Sequence, residues 1–231
     1  GISGVTSNPS IFQKALASSP YYADDLMRLK VGEPDAERRY EALAIADIQA
    51  ACDLLLPTYE ARDGNDGFVS MEVAPRWAYD TASTIAEAKR LSDAVNRRNL
   101  LIKVPGTPEG VRAFETLTTL GINVNVTLLF SVAQTEAIFQ AFIRSLNARV
   151  QADAGIGRSN ALASLFLSRI DTLVDPQFTA IGPQAALAVR AMPPGPLPAP
   201  PFAPASTPVN ANTCPTPLLW AAPPHYVLTS E

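Results

Sequence analysis

Histidine and cysteine are almost absent from this chain of 231 residues, which holds one His and two Cys. The single histidine, His225, sits among prolines, which argues against a Ser–His or Cys–His nucleophile and against a His-based metal site. Cys52 and Cys214 stand far apart and form no C-x-x-C pair. With no secretory signal in view, a reducing, intracellular compartment is the expectation, the cytoplasm or, where a transit peptide precedes Gly1, a plastid. Charge is also scarce, at 17% of residues against about 25% in average usage. Eighteen basic and 22 acidic side chains leave a net charge of −4. That excludes a strongly basic nucleic-acid binder while leaving room for a small anion site. Hydrophobic residues make up 47% and mean hydropathy is +0.08, yet no run approaches the ~20 apolar residues of a membrane span. Neither G-x-G-x-x-G nor G-x-x-x-x-G-K-[ST] occurs, so a nucleotide site loses its main support.

Proline is plentiful but uneven. Twelve of the 21 prolines fall between Pro193 and Pro224. Each removes a backbone donor and fixes φ, so this stretch excludes helix and central strand and reads as an extended or disordered tail. Two regions are expected: a folded part over 1–190 and a doubtful tail over 191–231. Inside the tail, the apolar run 217–222 has the look of one more strand. Within 1–190, strands expected at 1–6, 68–73, 100–104, 122–129 and 161–167 alternate with helices expected at 37–56, 78–98, from 109 and at 131–150. Gly121 is placed to end the third helix, and Ser131 to Gln134 reads as a capping box opening the fourth. Near-continuous apolar strand runs between helices predict a parallel sheet buried on both faces. An open doubly wound sheet and a (β/α)8 barrel both satisfy this pattern.

Function in such folds gathers at the carboxyl ends of the strands. Lys103 lies inside Leu-Leu-Ile-Lys-Val, where burial would strip an amine of its hydration. A lysine so placed is either a nucleophile toward a carbonyl or an edge residue snorkelling to solvent. Glu72, in Val-Ser-Met-Glu-Val, shares a strand face with Ser70. Its carboxyl is either paired with a buried cation or works as an acid or base. Asn125 and Thr127 share a face of the next strand, suited to hold a water or a substrate hydroxyl. Arg169 follows the strand that carries Ser164 and is either a surface ion-pair residue or a phosphate clamp.

The segments GVTSNPSIF (4–12), VSMEVAPR (69–76), LLIKVPGTPEGVRAFETLTTLGINVNVTLLFS (100–131) and SLFLSRIDTLVD (164–175) resemble the transaldolase family, especially its bacterial and plastid type. Four separated motifs in the family's order cover roughly residues 1–180. The resemblance implies an α/β fold, the (β/α)8 TIM barrel, and transfer of a dihydroxyacetone unit between sugar phosphates in the pentose phosphate pathway. It also implies that Lys103 is the Schiff-base lysine and that Glu72 and Thr127 position a proton-relaying water. By the same resemblance Asn8, Asn125 and Ser164 contact substrate hydroxyls, and Arg169 binds phosphate. No metal or organic cofactor is needed in that chemistry, and sugar phosphates are the expected partners, with neither nucleic acid nor membrane among them. The family's first strand carries an acid/base aspartate, which would precede Gly1, and nothing after 217–222 resembles its eighth strand. An incomplete barrel, cut at its front, is therefore the expectation, with a catalytically incompetent transaldolase fragment or a related Schiff-base aldolase as the alternatives to an active transaldolase.

Overall fold

The computed structural model describes residues 2–182, so the tail 191–231, the strand expected at 217–222, His225 and Cys214 lie outside it. The chain divides into two compact units, the first ending at Phe166 and the second beginning at Leu167.

In the first unit the strands β1 (Val5–Thr6), β2 (Val69–Glu72), β3 (Leu100–Pro105), β4 (Val124–Leu129) and β5 (Ala161–Leu165) form one sheet in chain order, every neighbour parallel. The sheet curls as part of a (β/α)8 barrel wall. Its connections are the helices α1 (Pro9–Ser18), α2 (Ala23–Gly32), α3 (Ala36–Ala61), α4 (Thr81–Val95), α5 (Pro108–Thr119) and α6 (Val132–Gln151). Among the described residues the second unit is a single helix, α7 (Leu167–Ile181).

Side chains alternate along each strand, and the alternation separates two environments. Val69, Met71, Leu100, Ile102, Val104, Val124 and Val126 join the apolar core with Ala44, Ile48, Ala88, Leu91, Phe114 and Leu117 from the helices. The opposite face carries Ser70, Glu72, Lys103, Asn125 and Ser164. The register sets Glu72 beside Lys103 and Lys103 beside Asn125.

Local chemistry explains most boundaries. The side chains of Asn8, Asp35, Asp80, Thr107 and Ser131 each accept a hydrogen bond from a first-turn N–H of the helix that follows. Gly121, at φ +90°, follows α5 and donates to Thr118, while the Ile122 N–H donates to Leu117. These two bonds close the Schellman turn that Gly121 predicts.

The structure departs from the sequence reading in several places. Only Val5–Thr6 of the first strand pairs, and β5 stops at Leu165 because Leu167 opens α7. Helix α3, expected over 37–56, runs to Ala61, with Pro57 inside it. Tyr59 supplies the reason: it is buried, meets Phe68 edge-on at 5.4 Å, and holds the last turn in place. Helix α4, expected over 78–98, spans Thr81–Val95, because Pro75–Trp77 forms a separate 3-10 turn and Asn96, at φ 47°, ends the helix. Finally, α1, α2 and α7 were not expected; Asn8 and Pro9, which follow the first strand, are the N-cap and first residue of α1.

Helix α3 has the length and mean hydropathy of a membrane-crossing segment. Its stripe of Leu43, Ala44, Ile48, Cys52 and Tyr59 is nonetheless buried in the unit, as in a core helix.

Candidate functional site

Strand β3 carries Lys103 into the interior face of the sheet, where the residue is 7% exposed. Leu101 and Pro105, two residues to either side on that face, are buried as well. The side-chain nitrogen therefore takes its partners from neighbouring strands. Nζ donates to the carbonyl oxygen of Ser7 at 3.2 Å and lies 3.5 Å from Oε2 of Glu72. The Ser7 hydroxyl donates to the backbone oxygen of Ser70 at 2.8 Å, tying the end of β1 to β2. Lysine, carboxylate and carbonyl thus form one buried polar group at the carboxyl end of β1–β3.

Two opposed effects act on Glu72. Burial raises its carboxyl above the ordinary value, and the Lys103 charge and hydrogen bond pull it down; burial prevails. A carboxyl that holds its proton more firmly, beside a shielded amine, can give and take protons where a carbonyl meets the amine.

A second chain of hydrogen bonds crosses the same face. The Ser164 hydroxyl of β5 donates to Oδ1 of Asn125 at 2.9 Å. Nδ2 of Asn125 in turn donates to Oγ of Ser70 at 3.2 Å. The amide is held at both ends, which orients it. Thr127, 2% exposed, lies two residues further along β4 and opposite Pro105 in register.

Asn8 is committed in part to helix capping, since Oδ1 accepts from the Ile11 N–H at 2.9 Å. It also lines a cavity of about 230 Å³ together with Ser7, Glu72, Tyr40 and Arg76.

The fold therefore brings Lys103, Glu72, Asn125 and Ser164 onto one face, with Thr127 a layer above and Asn8 at the neighbouring cavity. Arg169 stands in the first turn of α7, in the second unit. The Ser7 carbonyl escapes any sequence reading: a backbone oxygen 96 residues from Lys103 carries no residue-type signal. Ser70 was legible only as a neighbour of Glu72 on its strand face. Among the described residues no three His, Cys, Asp or Glu side chains form a metal-ligating group.

A parallel barrel wall with a shielded lysine–carboxylate pair at its strand ends has the build of a (β/α)-barrel enzyme. Comparison with known proteins narrows the class. The family described as Transaldolase/Fructose-6-phosphate aldolase matches residues 1–192. A transaldolase of Thiobacillus denitrificans is 65% identical over 190 residues, covering 82% of this chain and 53% of that protein. A transaldolase of Neisseria gonorrhoeae is 46% identical over 175 residues, covering 76% and 50%. Transaldolase 2 of Nostoc punctiforme is 47% identical over 173 residues, covering 74% and 45%. The chain belongs to the transaldolase/fructose-6-phosphate aldolase family. It spans about half the length of the curated relatives it matches.

Proposed function

We propose that this chain carries the lysine side of a transaldolase site and, in the whole enzyme, moves a dihydroxyacetone unit from a ketose phosphate to an aldose phosphate. The substrates of that reading are sedoheptulose 7-phosphate and glyceraldehyde 3-phosphate, giving erythrose 4-phosphate and fructose 6-phosphate, in the pentose phosphate pathway. One observation carries it: the Lys103 amine is shielded from water yet 3.5 Å from the Glu72 carboxyl.

In this reading the neutral Lys103 amine attacks the ketose carbonyl, and the carbonyl oxygen departs as water once it has been protonated. Glu72, whose proton is held more firmly by burial, supplies that proton. The protonated imine then withdraws the electron pair of the carbon–carbon bond between the carbons α and β to it, and that pair becomes the enamine double bond as the bond breaks. The aldose product leaves as its hydroxyl gives up a proton, and an enamine stays on Lys103. Attack of the enamine on an acceptor aldehyde forms the new bond, the new alkoxide takes a proton, and water releases the ketose. Thr127 and Glu72 hold the relaying water, Asn8, Asn125 and Ser164 take substrate hydroxyls, and Arg169 takes the phosphate. The protonated imine polarises the breaking bond, so the mechanism calls for no metal or organic cofactor. The setting is cytoplasmic.

Borohydride reduction in the presence of fructose 6-phosphate tests this reading. The label should map to Lys103, and Lys103→Arg should abolish it, because a guanidinium stays protonated and forms no imine. Label on Lys14, Lys30 or Lys89 instead refutes the assignment. The family's description also covers an aldolase. Release of free dihydroxyacetone, with no gain in turnover from an aldose phosphate acceptor, would favour that second reading.

A further inference from the structure

Strand β4 changes step after Val126. Up to that point its ladder with β5 is regular, with Val124, Val126 and the intervening Asn125 opposite Ala161, Ala163 and Leu162. Leu129 then pairs with Leu165, so Thr127 and Leu128 together stand opposite the single residue Ser164. One extra residue on one strand is a β-bulge, a feature rare in parallel pairs and concentrated at barrel rims and beside active sites. Leu128 absorbs it with φ 63°, in the left-handed region that a leucine side chain disfavours.

The bulge is pinned on both sides. The ladder to β3 continues unbroken to Pro105 opposite Thr127, and the Gly106 N–H donates to the Thr127 oxygen at 2.8 Å. On the other side the Phe166 N–H donates to the Leu129 oxygen at 3.0 Å.

Its consequence is a reset of which side chains face inward. Val124 and Val126 belong to the apolar core, and Asn125 and Thr127 to the interior face. Uninterrupted alternation would send Leu128 to the core and Leu129 into the interior, directly above Thr127. Leu129 is instead fully buried in the same core cluster as Val124 and Val126. It packs over Gly106, where an added Cβ would lie 2.5 Å from Leu129 Cδ2. Leu128 is left half-exposed. An outlier of this kind persists only where its surroundings enforce it, and such outliers gather at functional sites.

We infer that Leu128 is a positioning residue. Its left-handed backbone turns Leu129 out of the interior, so that Thr127 is the last β4 side chain facing the Lys103–Glu72 side and the space above it stays open to a substrate chain. The consequence for substrate rests on the Schiff-base reading; the geometry does not, and the two are tested separately.

Leu128→Asn and Leu128→Gly accept positive φ, whereas the β-branched Leu128→Val resists it. In the 231-residue chain without substrate, NMR with methyl-labelled leucine reads the orientation of Leu129 directly. A contact between the Leu129 methyls and the Gly106 Hα is expected in the parent, Asn and Gly forms and absent from the Val form. Borohydride trapping of fructose 6-phosphate at Lys103 then reads the consequence. The half-saturating concentration should rise at least about tenfold in the Val form, as for a misfitting apolar group, and stay within about threefold in the Asn form. A folded Leu128→Val chain that keeps the Leu129–Gly106 contact, or that traps like the parent, overturns the inference. Where the Val form does not fold, the Asn and Gly forms decide: loss of the contact in either overturns it and retention in both supports it. A parent chain that takes no label counts against the Schiff-base reading alone, and the NMR contact still decides the bulge.

Discussion

Lys103 and Glu72 stand out in the sequence for one physical reason: an ionisable group in an apolar strand needs a partner or a task, and the register of β2 and β3 supplies the partner. The upward displacement of Glu72, led by burial and opposed by Lys103, has a consequence for stability. The native state then binds the proton more tightly than the unfolded chain. Glu72 therefore contributes most below the unfolded carboxyl range, and its contribution is lost as pH rises through its higher native pKa. Asp35, Asp53 and Asp80, all lowered by hydrogen bonds, work in the opposite sense. Glu72→Gln should accordingly make stability rise more steeply with pH across the weakly acidic range, read from urea titrations at stepped pH. Parallel curves for parent and variant would show that Glu72 titrates normally. Cys52 makes a second residue-scale case. Fully buried, its thiol is pushed up to about 12, mainly by desolvation. In a Cys214→Ser background it should resist thiol reagents until the chain unfolds, since the thiolate is the reactive form; rapid labelling of the native chain would contradict its burial.

Elements were legible wherever their signals are local. The turn at Gly121 needs only a residue tolerant of positive φ, and Ser131 caps α6 as its spacing predicts. The capping box is nonetheless altered: Gln134 Oε1 accepts from the Phe130 N–H and from the Ser131 hydroxyl, and its Nε2 donates to the Gly106 oxygen. Pro57 shows why boundaries fail. A proline inside a helix removes one backbone bond and crowds the preceding turn, so the sequence reads as a helix end, yet burial of Tyr59 carries α3 on to Ala61. Pro57 itself is exposed. Pro57→Ala should therefore raise stability, by roughly 2–2.5 kcal/mol once the added freedom of the unfolded chain is subtracted. Chemical denaturation measures it, and a destabilised variant would mean that the proline ring is needed where it stands.

At the scale of the whole molecule, five described parallel strands supply one side of a site that a closed barrel surrounds with eight. The chain also spans about half of its curated relatives. A chemical step that loses one positioned acid or base slows by about 10²–10⁴-fold. On the proposed reading, the 231-residue chain, whose described strands line one side of the site, is expected to transfer dihydroxyacetone from fructose 6-phosphate to erythrose 4-phosphate more slowly than the transaldolase of Thiobacillus denitrificans, by a margin of that order if the other side supplies one such group. Parallel assays at equal concentration, with size-exclusion chromatography alongside, make the comparison. Turnover near that of the relative would mean that the described wall, with its Lys103–Glu72 pair, needs no further strand for catalysis.

The parallel α/β class, the alternation that separates core from interior, and the four motifs that place the chain in its family are all written in the order of residues. These depend on periodicity and residue type, which are local properties. That Lys103 Nζ meets the Ser7 carbonyl, that Ser164 and Ser70 hold Asn125 from both ends, and that Leu129 turns to the core after the bulge at Leu128 emerge with the packed fold. Each of these depends on the register between strands distant in the chain. Register is set by how whole elements pack against one another, so no single segment of the sequence carries it.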